Sequence, residues 1–169
     1  MDLATLRQQK DRSMREDRQS PLTPDQKEHF TGLAYFPENS ALRFVLSLTL
    51  EPESPPIVML TNTGSETAFR RIVSFEFAVA GSQLRLYLYQ DEEGSYDFVP
   101  FMDETSGVET YGAGRYLEPR ELADGAYSVD FNLAYNPYCA YNEHWSCPIP
   151  PLENRLPVRI EAGEKVFHQ

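Results

Sequence analysis

Residues 69–88 read FRRIVSFEFAVAGSQLRLYL, and this stretch decides the fold. Large apolar side chains recur with a period of two on both sides of Gly81-Ser82, and polar or small residues occupy most of the positions between them. Because successive side chains of a strand point to opposite faces of a sheet, this period predicts two half-buried strands. A glycine followed by a serine favours a tight turn. The stretch therefore predicts a β-hairpin.

Further strands are predicted on both sides of the hairpin. Residues 42–50 alternate leucine or phenylalanine with smaller or polar residues, and residues 57–60 form a short apolar run. Residues 96–101, 127–135 and 157–161 supply three more candidate strands. Short turns rather than helices join these segments. The pattern predicts a mainly β fold with a mostly antiparallel sheet, arranged as a barrel or a sandwich.

Helix signals are concentrated before Gly32. Residues 3–18 contain good helix formers and mixed charges but few apolar side chains, so we expect an arm-like surface helix. Residues 23–26, TPDQ, place threonine at the N-cap, proline at N1 and glutamine at N3 of a second short helix with a capping box. We therefore divide the chain into an N-terminal helical arm, residues 1–32, and a single β-rich domain, residues 33–169.

The charge of the chain restricts its partners. The formal net charge is −11 and the pI is about 4.7. Such a negative field repels phosphate backbones and anionic lipids, so we expect no binding to nucleic acid or to a membrane. No apolar run approaches the roughly 20 residues that a membrane span needs. No apolar segment follows the N-terminal charges as in a secretory signal, so a cytoplasmic location is expected.

The segment from Phe101 to Lys165 is dense in tyrosine, asparagine, glycine, proline and cysteine. Prolines restrict the backbone and large aromatic rings need pockets, so we interpret this segment as an ordered surface feature. Its motifs exclude two common activities. Residues 112–115, GAGR, lack the third glycine of a dinucleotide-binding loop. Ser106 lacks the flanking glycines of a nucleophile elbow. The motifs therefore indicate neither a reaction nor a cofactor.

Several motifs in this segment resemble one protein family. They are TSG at 105–107, ETYGAGRYL at 109–117, DFN at 130–132, AYNPYCAY at 134–141, CPIPP at 147–151, ENRL at 153–156 and AGEK at 162–165. The family is the uncharacterised prokaryotic group called domain of unknown function sixteen eighty-four, and the resemblance extends from about Ser20 to the C-terminus. It implies no activity. The family motif contains both cysteines of this chain but no histidine at position 144, which argues against an essential role for His144.

The two cysteines, Cys139 and Cys147, allow three interpretations. A zinc site would need His144 and His168 to complete the ligands, and the seven-residue gap is wider than usual between zinc-binding cysteines. A disulfide could close the small loop, although a cytoplasmic compartment opposes it. The third interpretation is two reduced, packed thiols, with Cys139 as a candidate nucleophile. We predict that both cysteines are reduced and metal-free.

Arg115 is the most suggestive cation of the chain. It follows two glycines in the GAGR motif, which would let a ligand approach the backbone, and its planar guanidinium suits a carboxylate or a phosphate. The alternative is an internal ion pair with Asp103, Glu109 or Asp130. For either role, we predict that the guanidinium lies in or beside the main pocket, close to residues 130–136.

We predict a pocket that binds a small polar or anionic molecule, enclosed by aromatic side chains. Asp130 and Asn132 share one face of a predicted strand and could orient the ligand together with Glu164, or could simply brace nearby loops. The candidate binding residues are Arg115, Asp103, Tyr111, Asp130, Asn132, Tyr135, Asn136, Tyr141 and Glu164. Two alternatives stay open. One is a small-molecule hydrolase that uses a pocket carboxylate as general acid or base, and the other is a protein-interaction domain.

Overall fold

The structure of the protein is a computed structural model that describes residues 2–53 and 55–168. The helices are α1 (Leu3–Glu16) and α2 (Pro24–His29). The strands are β1 (Arg43–Leu46), β2 (Thr49–Leu50), β3 (Ile57–Leu60), β4 (Glu66–Val79), β5 (Ser82–Asp91), β6 (Asp97–Phe101), β7 (Arg115–Leu117), β8 (Arg120–Glu121) and β9 (Tyr127–Asp130). The fold is therefore mainly β, as predicted.

The strands form two antiparallel sheets. The larger sheet has the order β2-β4-β5-β6-β7, with β3 also paired to β4, and the smaller sheet has the order β1-β9-β8. The predicted hairpin, β4–β5, is the centre of the larger sheet. It turns at Ala80 and Gly81, whose φ angles of 50° and 81° are those of a two-residue hairpin turn. Within the described residues, 2–53 and 55–168, neither sheet closes into a barrel. The fold is therefore sandwich-like.

Two apolar clusters form the core of the β-rich part of the chain. The larger cluster joins the hairpin to the smaller sheet through nearly fully buried side chains that include Phe75, Leu86, Phe101, Phe131 and Ile160. The smaller cluster lies at the other end of the hairpin. It consists of Met59, Phe69, Tyr89, Phe98 and Tyr116. Tyr116 also lines the pocket described below, so this cluster connects the core to the candidate site.

The helical arm packs against the β-rich part of the chain. In the predicted capping box, the Thr23 hydroxyl accepts the Gln26 amide and the Gln26 side chain accepts the Thr23 amide, which confirms this helix start. Met14, Leu22 and Phe30 of the arm share an apolar cluster with Tyr141 and Phe167. No helix in residues 2–53 and 55–168 has the length and apolar character that crossing a membrane requires.

The prediction of one strand over residues 42–50 is wrong. β1 pairs with β9 in the smaller sheet, whereas β2 pairs with β4 in the larger one, so the chain changes sheets between them. A period of two specifies which side chains are buried but not which strand each half pairs with. The predicted strand 127–135 likewise ends at Asp130, because the Asp130 carboxylate accepts the Asn132 amide and starts a 3-10 turn.

Residues 157–161 form no strand, contrary to the prediction. The carbonyl groups of Ile160 and Ala162 accept hydrogen bonds from the Arg115 guanidinium, and the Ile160 amide donates to the Asp103 carboxylate. The Arg115 and Asp103 side chains thus bond to the backbone groups that would otherwise pair with a neighbouring strand. β7 and β8 are two or three residues long and were not predicted.

Candidate functional site

A pocket of about 540 Å³ lies between helix α1, the edge strand β7 and the loop 135–147. Six aromatic side chains line it, namely Tyr96, Tyr116, Tyr135, Tyr138, Tyr141 and Trp145. Its polar lining includes Lys10, Glu118, Asn136, Ser146 and Cys147. The volume lies within the roughly 300–1,000 Å³ that is typical of small-molecule sites. We call this concavity the tyrosine pocket.

The edge of the larger sheet builds one wall of the tyrosine pocket. Tyr116 on β7 and Tyr135 exchange two backbone hydrogen bonds of 2.8 and 2.9 Å, which attach the loop to the sheet. Their rings meet edge to face, with centroids 6.0 Å apart. The Tyr116 hydroxyl donates to the Pro148 carbonyl at 2.5 Å, and the Tyr96 ring stacks on Phe98. Backbone pairing and ring packing therefore position this wall.

A chain of hydrogen bonds crosses the tyrosine pocket. The Tyr96 and Tyr135 hydroxyl oxygens are 3.1 Å apart, and the Tyr135 hydroxyl donates to Glu118 Oε1 at 2.5 Å. Burial raises the pKa of Tyr96 to about 12 and raises that of Tyr135 further. Both phenols therefore stay protonated near neutral pH and can donate as well as accept hydrogen bonds. Glu118 is exposed and can accept hydrogen bonds from a ligand.

Glu164 lies beneath this pocket and is 1% exposed. One carboxylate oxygen accepts the Tyr141 hydroxyl at 2.6 Å and the Asn136 amide at 2.8 Å, and the other forms an ion pair with Lys10. The Lys10 ammonium also lies 5.0 Å from the centroid of the Tyr135 ring. Burial, and secondly the Glu164 charge, raises the pKa of Tyr141 well above its ordinary value. Lys10 thus covers a buried carboxylate and forms part of the pocket wall.

A second concavity of about 350 Å³ adjoins the tyrosine pocket and shares Lys10 and Tyr135 with it. Leu3 and Leu6 of helix α1 contribute apolar surface. The Arg7 guanidinium stacks on the Tyr35 ring at 4.3 Å. Helix α1 therefore closes one side of both concavities.

The two cysteines lie next to each other near the tyrosine pocket, and both are free thiols. The Cys139 amide is 3.4 Å from Cys147 Sγ, and the Tyr111 hydroxyl is 3.5 Å from Cys139 Sγ. Cys147 lines the tyrosine pocket, whereas Cys139 and Tyr111 line a groove on the other side of the loop. Of the residues that the structure describes, no three His, Cys, Asp or Glu side chains group as a metal site would need. The metal-free state stays a prediction.

The sequence matches the family model described as "Protein of unknown function (DUF1684)" over residues 28–165. The chain belongs to this family. It is also similar to the solution NMR structure of an uncharacterized protein from Haloarcula marismortui, with 35% sequence identity and a TM-score of 0.70. The alignment covers 96% of this chain and 91% of that one. No curated protein matches the sequence.

The family match and the tyrosine pocket overlap only in part. The loop residues that line the pocket lie inside the matched range, and the motif AYNPYCAY, 134–141, supplies five of them, namely Tyr135, Asn136, Pro137, Tyr138 and Tyr141. Lys10 and Met14 of helix α1 lie outside that range. The site therefore combines a family motif with a helix that the family model does not include.

The structure places Arg115 and Asp103 inside the core. Neither side chain has exposed surface, and they form an ion pair of 3.2 Å. The guanidinium also donates to the carbonyls of Ile160, Ala162 and Glu164. A fully buried side chain cannot contact a ligand in an open pocket. Arg115 thus occupies the internal ion pair that was the alternative interpretation, and it takes no part in the site.

Of the other predicted residues, some brace loops and some line the tyrosine pocket or lie beneath it. The Asp130 carboxylate binds Arg43 at 2.7 Å and accepts from Asn132, while the Asn132 amide group exchanges two hydrogen bonds with the backbone of Asn39. Both residues brace loops, and Asn132 also borders the second concavity. Four predicted residues come together at the tyrosine pocket or directly beneath it, namely Tyr135, Asn136, Tyr141 and Glu164.

Sequence reasoning missed Lys10, Glu118 and Cys147 as pocket residues. For Lys10 a signal was present. Residues 3, 7, 10 and 14 are spaced by four, three and four, which places them on one face of a helix. Two of these four residues, Arg7 and Lys10, are charged, so this helix face was interpreted as solvent-exposed. Long basic side chains can nevertheless cover a buried acceptor.

Replacing Lys10 tests this arrangement. Lys10→Met should lower the free energy of unfolding by about 1–3 kcal/mol, because the buried Glu164 carboxylate loses its charged partner. Arg12→Met is the matched control, since it removes an exposed cation from the same helix. Urea denaturation of both variants checks the difference. Equal stability of the two variants would show that the pair with Glu164 contributes nothing.

Proposed function

We propose that the protein binds a small polar molecule in the tyrosine pocket. One observation carries this proposal. Six aromatic side chains and the hydrogen-bonded chain from Tyr96 through Tyr135 to Glu118 converge on one concave surface. An apolar or flat part of a ligand can pack on the rings, while its polar groups bond to the hydroxyls and the carboxylate.

The charges around the pocket favour a polar ligand over an anionic one. Arg115, the predicted anion-binding residue, has no exposed surface. Lys10 is already paired with Glu164, so little of its charge is left for a ligand. Glu118 adds an exposed negative charge, which repels anions and accepts hydrogen bonds from hydroxyl or ammonium groups. We therefore propose a ligand that carries hydrogen-bond donors.

Trp145 makes the proposal measurable because it is the only tryptophan in the chain and lines the pocket. Its ring lies edge to face with Tyr138, at a centroid distance of 5.1 Å. Native mass spectrometry of freshly purified protein can detect a bound molecule. Titration with sugars, polyols and small amines, followed by Trp145 fluorescence, can then identify the ligand class.

The variant Glu118→Gln should weaken binding of the ligand found in that screen by about tenfold, which is the loss of about 1.4 kcal/mol. Its melting temperature should stay close to that of the wild type, because Glu118 is exposed. Glu93→Gln, in the exposed turn between β5 and β6, is the control and should bind normally. If both variants bind equally well, Glu118 does not contact the ligand.

The hydrolase alternative has less support from the geometry. A general acid or base needs a pocket carboxylate that can exchange protons with a substrate. Asp103 is held in an ion pair with Arg115, and Asp130 in one with Arg43. Glu164 is covered by Lys10. Glu118 is open to a substrate but exposed to solvent, and its Oε1 accepts the Tyr135 hydroxyl. We therefore place ligand binding before hydrolysis, and the interaction-domain alternative stays a prediction.

A further inference from the structure

We propose that Cys147 and Cys139 form a peroxide-reactive thiol pair, in which Cys147 reacts with a hydroperoxide and Cys139 then resolves the product into a disulfide. The site is separate from the ligand contacts proposed above, although Cys147 borders the same pocket. In the cytoplasm that the sequence predicts, the resting state of such a pair is the dithiol.

The positions of the two sulfurs set the order of reaction. The Cys139 amide points at Cys147 Sγ from 3.4 Å, so the two cysteines lie next to each other. Cys139 is buried at 7% exposure, whereas Cys147 is half-buried and faces the tyrosine pocket. A small oxidant that enters the pocket therefore meets Cys147 first, with Cys139 directly behind it.

Hydrogen bonding supports the same order. The Cys139 thiol, followed by the backbone amides of Cys139 and Tyr138, lowers the pKa of Cys147 to about 7 against the effect of burial. The contact with Cys147, and secondly burial, raises the pKa of Cys139. A large share of Cys147 is therefore thiolate at neutral pH, and thiolate is the reactive form. The proposal thus assigns the nucleophile to Cys147, whereas the sequence interpretation named Cys139 as the candidate.

The charged groups that line the pocket with Cys147 are Lys10, which is paired with Glu164, and Glu118, which accepts the Tyr135 hydroxyl. The phenols that interact electrostatically with the pair belong to Tyr96, Tyr111 and Tyr116, and all three have raised pKa values. These phenols are neutral near pH 7, so they add no charge beside the Cys147 thiolate. Glu143 interacts with Tyr111 beyond the pair, on the exposed side of the loop.

The loop between the cysteines is anchored at its Cys147 end. The Cys147 amide donates to Asn62 Oδ1 at 2.7 Å, and Asn62 Nδ2 donates to the Trp145 carbonyl at 2.9 Å. The Ser146 hydroxyl lies within 3.1 Å of the hydroxyls of Thr61, Thr63 and Ser65. This anchoring holds Cys147 beside Cys139.

The chemistry balances with a hydroperoxide as the oxidant. The Cys147 thiolate attacks the terminal peroxide oxygen, so an S–O bond forms and the O–O bond breaks. Cys147 becomes a sulfenic acid, and the leaving alkoxide or hydroxide takes a proton from water. The Cys139 sulfur then attacks Cys147 Sγ, an S–S bond forms, and the hydroxyl leaves with the Cys139 proton as water. Two equivalents of a low-molecular-weight thiol restore both cysteines.

The test uses the full chain, reduced and then freed of reductant. Hydrogen peroxide should remove both free thiols and lower the intact mass by two hydrogen atoms, and dithiothreitol should reverse both changes. Iodoacetamide labelling of the untreated wild type, mapped by peptide mass, should modify Cys147 before Cys139. The labelling rate should have its midpoint near pH 7, below the value of about 8.5 for an ordinary cysteine.

Two variants separate the steps. Cys139→Ser should stop the reaction at a Cys147 sulfenic acid that dimedone traps, and Cys147→Ser should abolish both the adduct and the disulfide. Labelling of Cys139 first, a midpoint near that of an ordinary cysteine, or peroxide treatment that leaves both thiols free would each overturn the proposal. The wild-type measurements decide the question even if a serine variant fails to fold. Glu93→Gln, in the exposed turn between β5 and β6, should leave the thiol reaction unchanged. The thiol measurements need no ligand, so failure of the ligand proposal is distinguishable from failure of this one.

Discussion

Arg115→Met is expected to lower the free energy of unfolding by about 3–5 kcal/mol, because removal of one partner leaves a buried charge uncompensated. Asp103 would lose its cation in a site where neither side chain is exposed. The carbonyls of Ile160, Ala162 and Glu164 would lose a donor at the same time. Equilibrium denaturation in urea measures the loss directly.

Two further variants make this result specific. Arg115→Lys keeps the charge but has fewer and differently placed donors, so it should lose about 2–4 kcal/mol, since buried acceptors remain unpaired. Arg85→Met removes the exposed ion pair with Glu76 and should change the stability far less than Arg115→Met does. If Arg115→Lys keeps wild-type stability but loses ligand binding, the guanidinium serves a ligand and its structural assignment is wrong.

Gly163→Ala is expected to destabilise the protein by about 2–4 kcal/mol, from overpacking together with an unfavourable backbone conformation. Gly163 has a φ of +77°, and an added Cβ would lie 2.6 Å from the Ala134 carbonyl oxygen and 2.8 Å from that of Phe131. Both contacts are with backbone atoms, which cannot rotate away as a side chain could. Because the Glu164 amide bonds to the same Ala134 carbonyl at 2.9 Å, the substitution should also disturb the floor of the tyrosine pocket.

Gly125→Ala is the matched control for this effect. Gly125 has a φ of +79°, almost the same backbone conformation, but nothing lies within 4 Å of the added Cβ. It should lose only the conformational cost of about 1–2 kcal/mol. Thermal unfolding of the two variants separates the clash from the conformation. Equal losses would mean that the contact with the 131–134 turn relaxes freely.

Local chemistry explains where the sequence predictions succeeded. The hairpin β4–β5 and the capping box at residues 23–26 depend on side chains within a few positions of each other, and the structure confirms both. The aromatic segment 134–141 was predicted to enclose a pocket, and its tyrosines do line one. Those rings need burial or close packing wherever the segment lies, so their composition alone indicated a packed surface feature.

Contacts that are remote in sequence explain the failures. Arg115 looked available to a ligand because two glycines precede it, but the partners that enclose it are Asp103 and the carbonyls of residues 160–164. Residues 157–161 were predicted as a strand because no residue near them in sequence indicated that the Arg115 and Asp103 side chains would bond to their backbone. Lys10 was assigned to a surface arm, and its buried partner Glu164 lies at the other end of the chain.

The sequence by itself determined the class of the fold, the helix starts, the central hairpin and the family, because periodicity, capping and motif are properties of short stretches. Only the tertiary structure decided which cation is buried, which carboxylate lies beneath the pocket and which cysteine faces it. Burial and electrostatic pairing depend on groups that the fold brings together from distant positions, such as Lys10 with Glu164 and Arg115 with Asp103. The energy of a charge depends on those surroundings, so the same residue type becomes a core ion pair at position 115 and an exposed one at position 85.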